Sequence, residues 1–290
     1  MIGLGAKYLT AAGFGRYKIT AASLGNLFCR ISWLTGATMQ AILAAFGDDG
    51  VAVIKATNAY LNGIAAQGQA GKDKATALAG FINEDPMMVC SLGLEPQGVT
   101  MPIRWLVGDG ASWVNTGIVP TTDTVLEMHI KIQQRVASHM VCFGSRIDQT
   151  DQFYVGMTFH LSNKLRLDFA GTRLETANAV EGTEYNIKFG KSYAIVNGTS
   201  YGTFSGSISA NAKPMYIMAG NNDGSPQYGT GVIVDFAKLN SGQYNFAPFK
   251  STTREGMVDI VNGTFHPNMG TGHFSVAYTR NGQPWTPSTP

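Results

Sequence analysis

The stretch Trp105-Leu-Val-Gly-Asp-Gly-Ala-Ser-Trp-Val-Asn-Thr-Gly-Ile-Val-Pro120 opens the region whose pattern decides the fold. The same region closes with Gly256-Met-Val-Asp-Ile-Val-Asn-Gly-Thr-Phe-His-Pro-Asn-Met-Gly-Thr-Gly-His-Phe274. Between these two motifs, short alternating segments are separated by Gly, Asn and Asp, which are residues that form tight turns. Many short strands at this spacing, with no helices between them, predict an antiparallel β-sandwich.

The alternation is clearest in the segment 124–132, where Leu126 and Met128 face one way and Glu127 and His129 face the other. A period of two is the signature of a strand with one buried face. Turn signals of the Asn-Gly and Asp-Gly type separate the segments. Further strands are predicted at 153–159, 164–169, 185–189, 193–196, 215–219 and 232–239.

The composition limits the classes of partner. Hydrophobic residues make up 44% of the 290 residues, which is enough for a sizeable core, and charged residues only 14%. Charge this sparse indicates a surface partly covered by partners, since a quarter is usual. The formal net charge is +2, and the basic residues are scattered without interleaved aromatics. No nucleic-acid partner is therefore expected.

The N-terminal sequence and the distribution of apolar residues indicate in which cellular compartment the protein is made. The stretch Met1-Ile-Gly-Leu-Gly-Ala-Lys-Tyr8 lacks the basic and apolar regions of a signal peptide. The sequence has no run of about 18 apolar residues, so no transmembrane helix and no membrane partner are expected. Cys29, Cys90 and Cys142 lack zinc-site spacing and are expected to be buried thiols. The chain is predicted to be made in a cytoplasm.

Residues 1–100 differ in character from the rest, being rich in Ala, Gly, Leu and Ile. Helical spacing predicts helices at 39–46, 51–66 and 72–83, and Pro86 closes the last of them. Helices with many Ala residues and few charges are interpreted as a docking or oligomerisation segment. An ordinary helical domain with its own core is the alternative. The predicted division is 1–100 as this segment, 101–278 as the sandwich and 279–290 as a tail.

Residues 103–276 resemble the concanavalin A-like lectin/glucanase fold in its laminin-G-like version. Such modules are common in surface proteins of gut Bacteroidales and in proteins of their phages. Besides the two end motifs, the resemblance is carried by Phe143-Gly-Ser-Arg146, Ile195-Val-Asn-Gly198 and Phe246-Ala-Pro248. It implies an antiparallel jelly-roll β-sandwich, here preceded by the helical segment. Residues 1–100 carry no such resemblance.

Most of the matched residues have structural explanations. Gly117, Gly198 and Gly263 suit turns that require a positive φ. Four aromatic residues of the matched motifs are predicted to belong to the core. These are Phe143, Phe236, Phe265 and Phe274.

The resemblance leaves hydrolase activity open, but the sequence argues against it. Retaining members of the fold use carboxylates in the pattern Glu-x-Asp-x-(x)-Glu on one strand, so that nucleophile and acid face the same cleft. This sequence offers only lone carboxylates, Glu127 and Asp168. No catalytic residue is predicted, and a glycoside hydrolase is kept as a third option because the fold permits it.

A rim loop is the best candidate for ligand contact, because in a sandwich the strands are committed to the core. Asn221, Asn222, Asp223 and Tyr228 combine hard oxygen ligands with an aromatic face. They are candidates for binding a glycan. No cofactor is expected, and calcium is the one alternative that these oxygens leave open. The same residues are ordinary turn formers, which is the alternative. Further aromatic platforms for a sugar are Tyr201, Tyr244 and Trp285.

The leading hypothesis is a non-enzymatic phage virion protein, such as a head or tail fibre or decoration component. Its N-terminal segment would bind other virion proteins and form a homo-oligomer. Its sandwich would be a lectin-like module for attachment to host-surface glycan. The alternative is an adhesin or carbohydrate-binding module on the bacterial cell surface. The missing export signal favours the virion protein.

Overall fold

The computed structural model describes residues 33–135, 139–148, 152–158, 163–227 and 231–288. The chain forms two compact units. The first comprises Met1–Ile103 with Tyr278–Pro290, and the second is Arg104–Ala277. The described N-terminal part is helical and the second unit is a β-sandwich. The predicted fold class, mainly β with a preceding helical segment, is therefore confirmed.

The helices of the first unit are α1 (Gly36–Phe46), α2 (Gly50–Ala65) and α3 (Gln69–Glu84). Short 3₁₀ turns at Gly47–Asp49 and Pro86–Ser91 follow α1 and α3. The Thr35 hydroxyl caps α1 by accepting a hydrogen bond from the Thr38 amide at 3.2 Å, which satisfies a donor that the first helical turn leaves unpaired. All three helices predicted from apolar spacing are present.

These helices pack against one another. Their shared apolar side chains are fully buried, among them Met39, Ile42, Val53, Ile54, Leu61, Leu78 and Ile82. Across residues 33–103, every large aliphatic or aromatic side chain is buried or half-buried. This arrangement is compatible with an ordinary helical core, and the predicted docking role stays a prediction.

The first two helices bear on the membrane question. Gly36–Ala65 is a stretch of 30 residues that is long and apolar enough, by length and composition, to cross a membrane. The core helix of a soluble protein meets the same criterion. Here Gly47, with a φ of 57°, interrupts the stretch, and α1 packs against α2. The composition is thus weak support for a span, and the expected lack of a membrane partner stays a prediction.

The second unit and the C-terminal residues consist of strands joined by tight turns. The bounds are β1 (Ile103–Val107), β2 (Val114–Asn115), β3 (Val125–Ile132), β4 (His139–Arg146), β5 (Gln152–Thr158), β6 (Lys164–Phe169), β7 (Thr172–Asn178), β8 (Glu184–Gly190), β9 (Tyr193–Val196), β10 (Thr199–Ser200), β11 (Tyr216–Ile217), β12 (Gly220–Asn222), β13 (Ser225–Gln227), β14 (Val232–Leu239), β15 (Tyr244–Lys250), β16 (Glu255–Asp259), β17 (Thr264–Pro267), β18 (Ser275–Arg280) and β19 (Gln283–Pro284). A 3₁₀ turn, Asn240–Gly242, joins β14 to β15.

The strands form two sheets. In the first, the order β10-β9-β8-β3-β14 continues from β14 to β1 and, by a second branch, to β15, β16 and β17. In the second, the order is β13-β12-β4-β5-β6-β7, and β11 joins β2 to β4. Among the strand pairs whose register is described, all are antiparallel except β12 with β4, which is parallel. One apolar cluster, drawn from both sheets, fills the space between them.

The predicted alternation of β3 is confirmed, with Leu126 and Met128 in the core and Glu127 half-exposed. His129 lies on the outer face as predicted, yet it is buried. The Trp105 ring packs at 4.7 Å from its imidazole, and the Asp235 carboxylate lies 3.2 Å from its Nδ1. An outward position on a strand does not therefore mean exposure.

Two of the four predicted core aromatics are in the core, Phe143 and Phe274. The prediction is wrong for Phe236 and Phe265, which are half-buried. The register of β14 against β3 shifts between Val234 and Phe236, and this bulge turns the Phe236 ring away from the core. Phe265 lies on β17, the last strand of its branch, where it has a strand on one side.

Candidate ligand-binding site

The two motifs that open and close the sandwich sequence meet at one rim of the fold. Asn268 joins them: its side-chain Oδ1 accepts from the backbone amides of Trp113 at 3.3 Å and Gly270 at 2.9 Å. Its Nδ2 donates to the Glu255 carboxylate at 2.8 Å and to the Gly272 carbonyl at 2.7 Å. One amide side chain thus uses both its donor and its acceptor to hold the junction.

Asp109, in the opening motif, also holds the two motifs together at this junction. Its carboxylate accepts from the Ala111 amide at 2.9 Å and from the His273 amide at 2.8 Å. Burial raises the pKa of this carboxyl, but the backbone hydrogen bonds from His273 and Ala111 outweigh burial and lower the pKa below its usual range. The group therefore stays ionised and keeps its role as an acceptor.

Two glycines of the closing motif allow the close approach of the backbones. A Cβ on Gly270 would lie 1.9 Å from the Ala111 carbonyl oxygen, and one on Gly272 would lie 2.1 Å from the Asp109 carboxylate. Gly270 is required for reasons of space, because the obstructing atom belongs to the backbone, whereas a side chain at Gly272 would displace the Asp109 carboxylate. The spacing Gly-x-Gly in the closing motif thus has a packing explanation.

A cleft of about 380 Å³ lies beside this junction. It is lined by residues 110–113 of the opening motif, Ala219, Pro226 and Gln227 beside and within the β12–β13 hairpin, and residues 269–271 of the closing motif. Among these described lining residues none is ionisable. The cleft therefore offers an indole, an amide, hydroxyl groups and backbone polar groups, without a fixed charge.

The position of the Trp113 indole is fixed by Tyr216. The two rings stack with centroids 4.1 Å apart and planes inclined by 26°. Tyr216 is buried, and its hydroxyl donates to the Gly224 carbonyl at 3.4 Å. Burial raises the pKa of this hydroxyl, so the hydroxyl stays protonated as a donor. Trp113 itself is half-buried, and it presents an aromatic surface that is already positioned in the cleft.

The predicted rim loop is a hairpin, and two of its four candidate residues have structural roles. Asn221 lies in β12 and is buried; its amide bonds the Pro214 carbonyl and the Gly224 amide, each at 2.7 Å. Asn222 accepts from Arg146 Nε at 2.9 Å. These side chains shape the hairpin, which contributes Gln227 to the cleft.

The other two candidates are less constrained. Asp223 occupies the turn with a φ of 49°, and its exposed carboxylate lies 3.6 Å from the Lys213 ammonium. Tyr228 lies outside the described residues. The Asn221 oxygen accepts from the Gly224 amide and the Asn222 oxygen accepts from a guanidinium, and the cofactor expectation for this loop stays a prediction. Among the described residues no group of three His, Cys, Asp or Glu side chains could hold a metal ion.

The other predicted aromatic platforms that the structure describes are not among the lining residues of the cleft. Tyr244 stacks at 6.5 Å on Phe246 and packs against the core. Trp285 belongs to the first unit, where it packs at 5.7 Å from Phe46. Tyr201 is exposed over about a third of its surface, as its predicted role requires. The residue that the sequence argument missed is Trp113, which lies in the opening motif and for which no role was predicted.

The two lone carboxylates lie in different sheets, Glu127 in β3 and Asp168 in β6. Asp168 is fully buried and forms ion pairs with Arg166 and Arg173. Glu127 pairs with Lys188 at 2.9 Å at the surface. Because their strand neighbours on each side fill the core, the two carboxylates point out of opposite faces of the sandwich and share no cleft.

Comparisons with known proteins add no family to this picture. No protein-family model matches the chain, and no curated protein is significantly similar to it. The chemistry of the cleft is therefore argued from its own residues.

Proposed function

We propose that this chain is a non-enzymatic virion protein of a phage that infects gut Bacteroidales, and that its sandwich binds host-surface glycan. The observation that carries the binding role is the Trp113 indole, stacked on Tyr216 and half-exposed in a cleft without ionisable lining residues. Sites for small ligands combine apolar and aromatic walls with a few fixed polar groups.

The chemistry of this cleft suits a sugar ring. An aromatic face packs against the apolar C–H face of a pyranose, while amide and hydroxyl groups exchange hydrogen bonds with its hydroxyls. The cleft provides both, through the Trp113 ring and through the Gln227 amide and the hydroxyl of the exposed Thr271. The Gln227 carbonyl oxygen accepts from Arg146 at 2.8 Å, which orients the amide nitrogen as a donor.

The proposal includes the finer identity of the sandwich as a concanavalin A-like module of the laminin-G-like type. Its support is the order of the motifs from 103 to 276, together with two mostly antiparallel sheets around one core. The opening and closing motifs also form a single junction through Asn268 and Asp109. A shared junction explains why two distant motifs would be kept together in such modules.

The non-enzymatic part of the proposal is supported by the separation of the carboxylates. A retaining glycosidase needs its two carboxyl groups about 5 Å apart on one cleft. Glu127 and Asp168 belong to different sheets, and the charge of Asp168 is engaged by two arginines. Neither of them lines the cleft beside Trp113.

The virion part rests on the resemblance and on the sparse charge of the chain, 14% of residues. In this proposal the helical segment binds other virion proteins and forms a homo-oligomer, while the sandwich faces outward. Mass spectrometry of purified phage particles tests it directly. We expect peptides of this chain at a stoichiometry comparable to that of other structural proteins. Recovery from the surface of uninfected bacteria instead would contradict the virion assignment and favour an adhesin.

A further inference from the structure

The cleft beside Trp113 carries exposed apolar side chains in addition to the indole. Met269 lines the cleft with 52% of its surface exposed, and the lining residues Pro226 and Ala111 are exposed as well. Among the exposed large hydrophobic side chains of the described residues, only Met269 lines this cleft. A methionine is flexible and polarizable, so it adapts to small apolar groups of a ligand.

Met269 is held next to the indole-bearing residue through the backbone. Its amide donates to the Trp113 carbonyl at 2.9 Å, and the Trp113 amide donates in turn to Asn268 Oδ1 at 3.3 Å. The residues that supply the ring and the thioether are therefore tied together at their main chains. An aromatic surface and an apolar side chain thus lie side by side in one cleft.

Gln227 supplies an oriented donor to the same cleft. Arginine has only donors, so the Gln227 amide turns its Oε1 to Arg146, whose Nη2 donates to it at 2.8 Å. The Arg146 side chain is itself held by Asn222 Oδ1, which accepts from its Nε at 2.9 Å. The Gln227 Nε2 group has no acceptor among the described residues, and it is left to donate to a ligand.

The chemistry of the lining selects a neutral group. No described lining residue is ionisable, and Arg146 is not itself one of them. A charged substituent would lie in the cleft without a partner, which costs binding free energy. The group that matches the cleft has an oxygen acceptor for Gln227 and an apolar end for Met269. An acetamido group has both, since its carbonyl oxygen accepts and its methyl is apolar, whereas a hydroxyl has no apolar end.

We propose that the Trp113 cleft selects sugars that carry an N-acetyl group. The pyranose ring packs on Trp113, the acetamido carbonyl accepts from Gln227 Nε2, and the acetamido methyl packs against Met269. This inference rests on the proposed glycan-binding function and specifies its ligand class. Gln227 and Met269 determine the specificity, while Trp113 contributes to the binding of any pyranose.

The experiment uses pairs of neutral sugars that differ only at the second ring carbon. The N-acetylglucosamine tetramer is titrated against the full chain beside cellotetraose, which has the same linkage and a hydroxyl in place of each acetamido group. The methyl glycosides of N-acetylgalactosamine and galactose form a second pair. In at least one pair we expect the acetamido member to bind about tenfold tighter, since it gains a hydrogen bond and buries a methyl.

Three variants locate the preference. Gln227→Glu keeps an oxygen for Arg146 but lacks the N–H donor, and it should reduce the preference to about threefold or less. Met269→Ala should weaken binding of the acetamido member about threefold and leave the hydroxyl member unchanged. Its side chain is exposed, so it serves if Gln227→Glu lowers the melting temperature. Trp113→Ala should weaken binding of both members.

Gln243→Glu is the matched control, because it adds the same charge at an exposed position that does not line the cleft. It should leave all affinities unchanged. Equal affinity within both pairs, or a preference that both Gln227→Glu and Met269→Ala leave intact, would overturn the N-acetyl specificity while leaving glycan binding in place. So would binding to array glycans that lack N-acetyl groups when neither acetamido probe binds. Binding to no glycan at all would instead refute the proposed function, and the inference with it.

Discussion

The carboxylate of Asp109 accepts a hydrogen bond from the backbone amide of His273 at 2.8 Å, although 164 positions of sequence separate them. The same carboxylate accepts from the Ala111 amide of its own motif. This contact joins the first and last parts of the sandwich sequence. The cleft beside Trp113 is built on that junction, because residues 110–113 on one side of it and 269–271 on the other line the cleft.

Replacing Asp109 by Asn should therefore lower the free energy of unfolding by about 1–2 kcal/mol, since an amide offers one acceptor oxygen where two amides donate. Chemical denaturation of the full chain measures the change. Asp123→Asn, in the turn before β3, is the matched control and should change stability by less than about 0.5 kcal/mol. Equal effects of the two substitutions would show that Asp109 does not hold the junction.

Gly270→Ala should be more damaging, because the added methyl would lie 1.9 Å from the Ala111 carbonyl. We expect a loss of about 2 kcal/mol or more, from backbone displacement in a packed junction. Gly80→Ala is the control, and it should change stability in the opposite direction. Gly80 lies in α3, and the space where its Cβ would be placed is open. Replacing it should stabilise the protein by about 0.5–1 kcal/mol. A Gly270→Ala protein as stable as the parent would contradict the described packing.

The fold class was predictable because periodicity reports burial directly. Leu126 and Met128 are in the core, as their alternation requires. Local irregularities were not predictable: the predicted strand 215–219 is broken by Met218, which has a φ of 67°. Likewise, the Phe236 ring turns outward at a bulge that depends on the register of the neighbouring strand β3.

The candidate site was predictable only in part, because it is assembled from distant segments. The hairpin that contains Asn221 was identified as a rim loop, and it does border the cleft through Gln227. The turn-forming alternative for its asparagines was stated, but their contacts were not predictable, since their partners Pro214 and Arg146 become neighbours only in the fold. Trp113 was visible in the sequence, but its half-exposure depends on loops more than 100 positions away.

Glu255 should make the stability of the sandwich depend on pH. Burial raises the pKa of this carboxyl, but hydrogen bonds from Lys250, Asn268, the Phe274 backbone and His273 outweigh burial and lower the pKa from 4.5 to about 2. A lowered pKa in the folded state means that the ionised group stabilises folding above about pH 4.5. That contribution is lost as the pH falls towards 2.

Glu255→Gln should accordingly cost about 2 kcal/mol at pH 7, and the difference from the parent should shrink steadily between pH 4.5 and pH 2.5. Denaturation curves at several pH values measure it. Glu95→Gln, at an exposed position, should produce no such pH-dependent difference. A Glu255→Gln penalty that stayed constant down to pH 2.5 would argue against the lowered pKa.

Replacing the two lone carboxylates should change the stability of the protein by different amounts, and neither carboxylate should be needed for catalysis. Asp168→Asn leaves the buried Arg166 without its anionic partner and should cost about 3–5 kcal/mol. Glu127→Gln breaks a surface pair with Lys188 and should cost less than about 1 kcal/mol. Neither the parent nor the Glu127→Gln protein should release reducing ends from polysaccharides. Reducing-end release that disappeared with Glu127→Gln would contradict the non-enzymatic assignment.

The central claim is that the Trp113 cleft recognises glycan, and binding of the full chain to a glycan array tests it most directly. The parent protein should bind a defined set of glycans, and Trp113→Ala should lower the affinity at least about tenfold, or by about 1.4 kcal/mol. Tyr193→Ala, which removes an exposed aromatic ring that does not line the cleft, should bind like the parent, with circular dichroism confirming that each variant is folded. Unchanged binding by a folded Trp113→Ala protein would contradict the account.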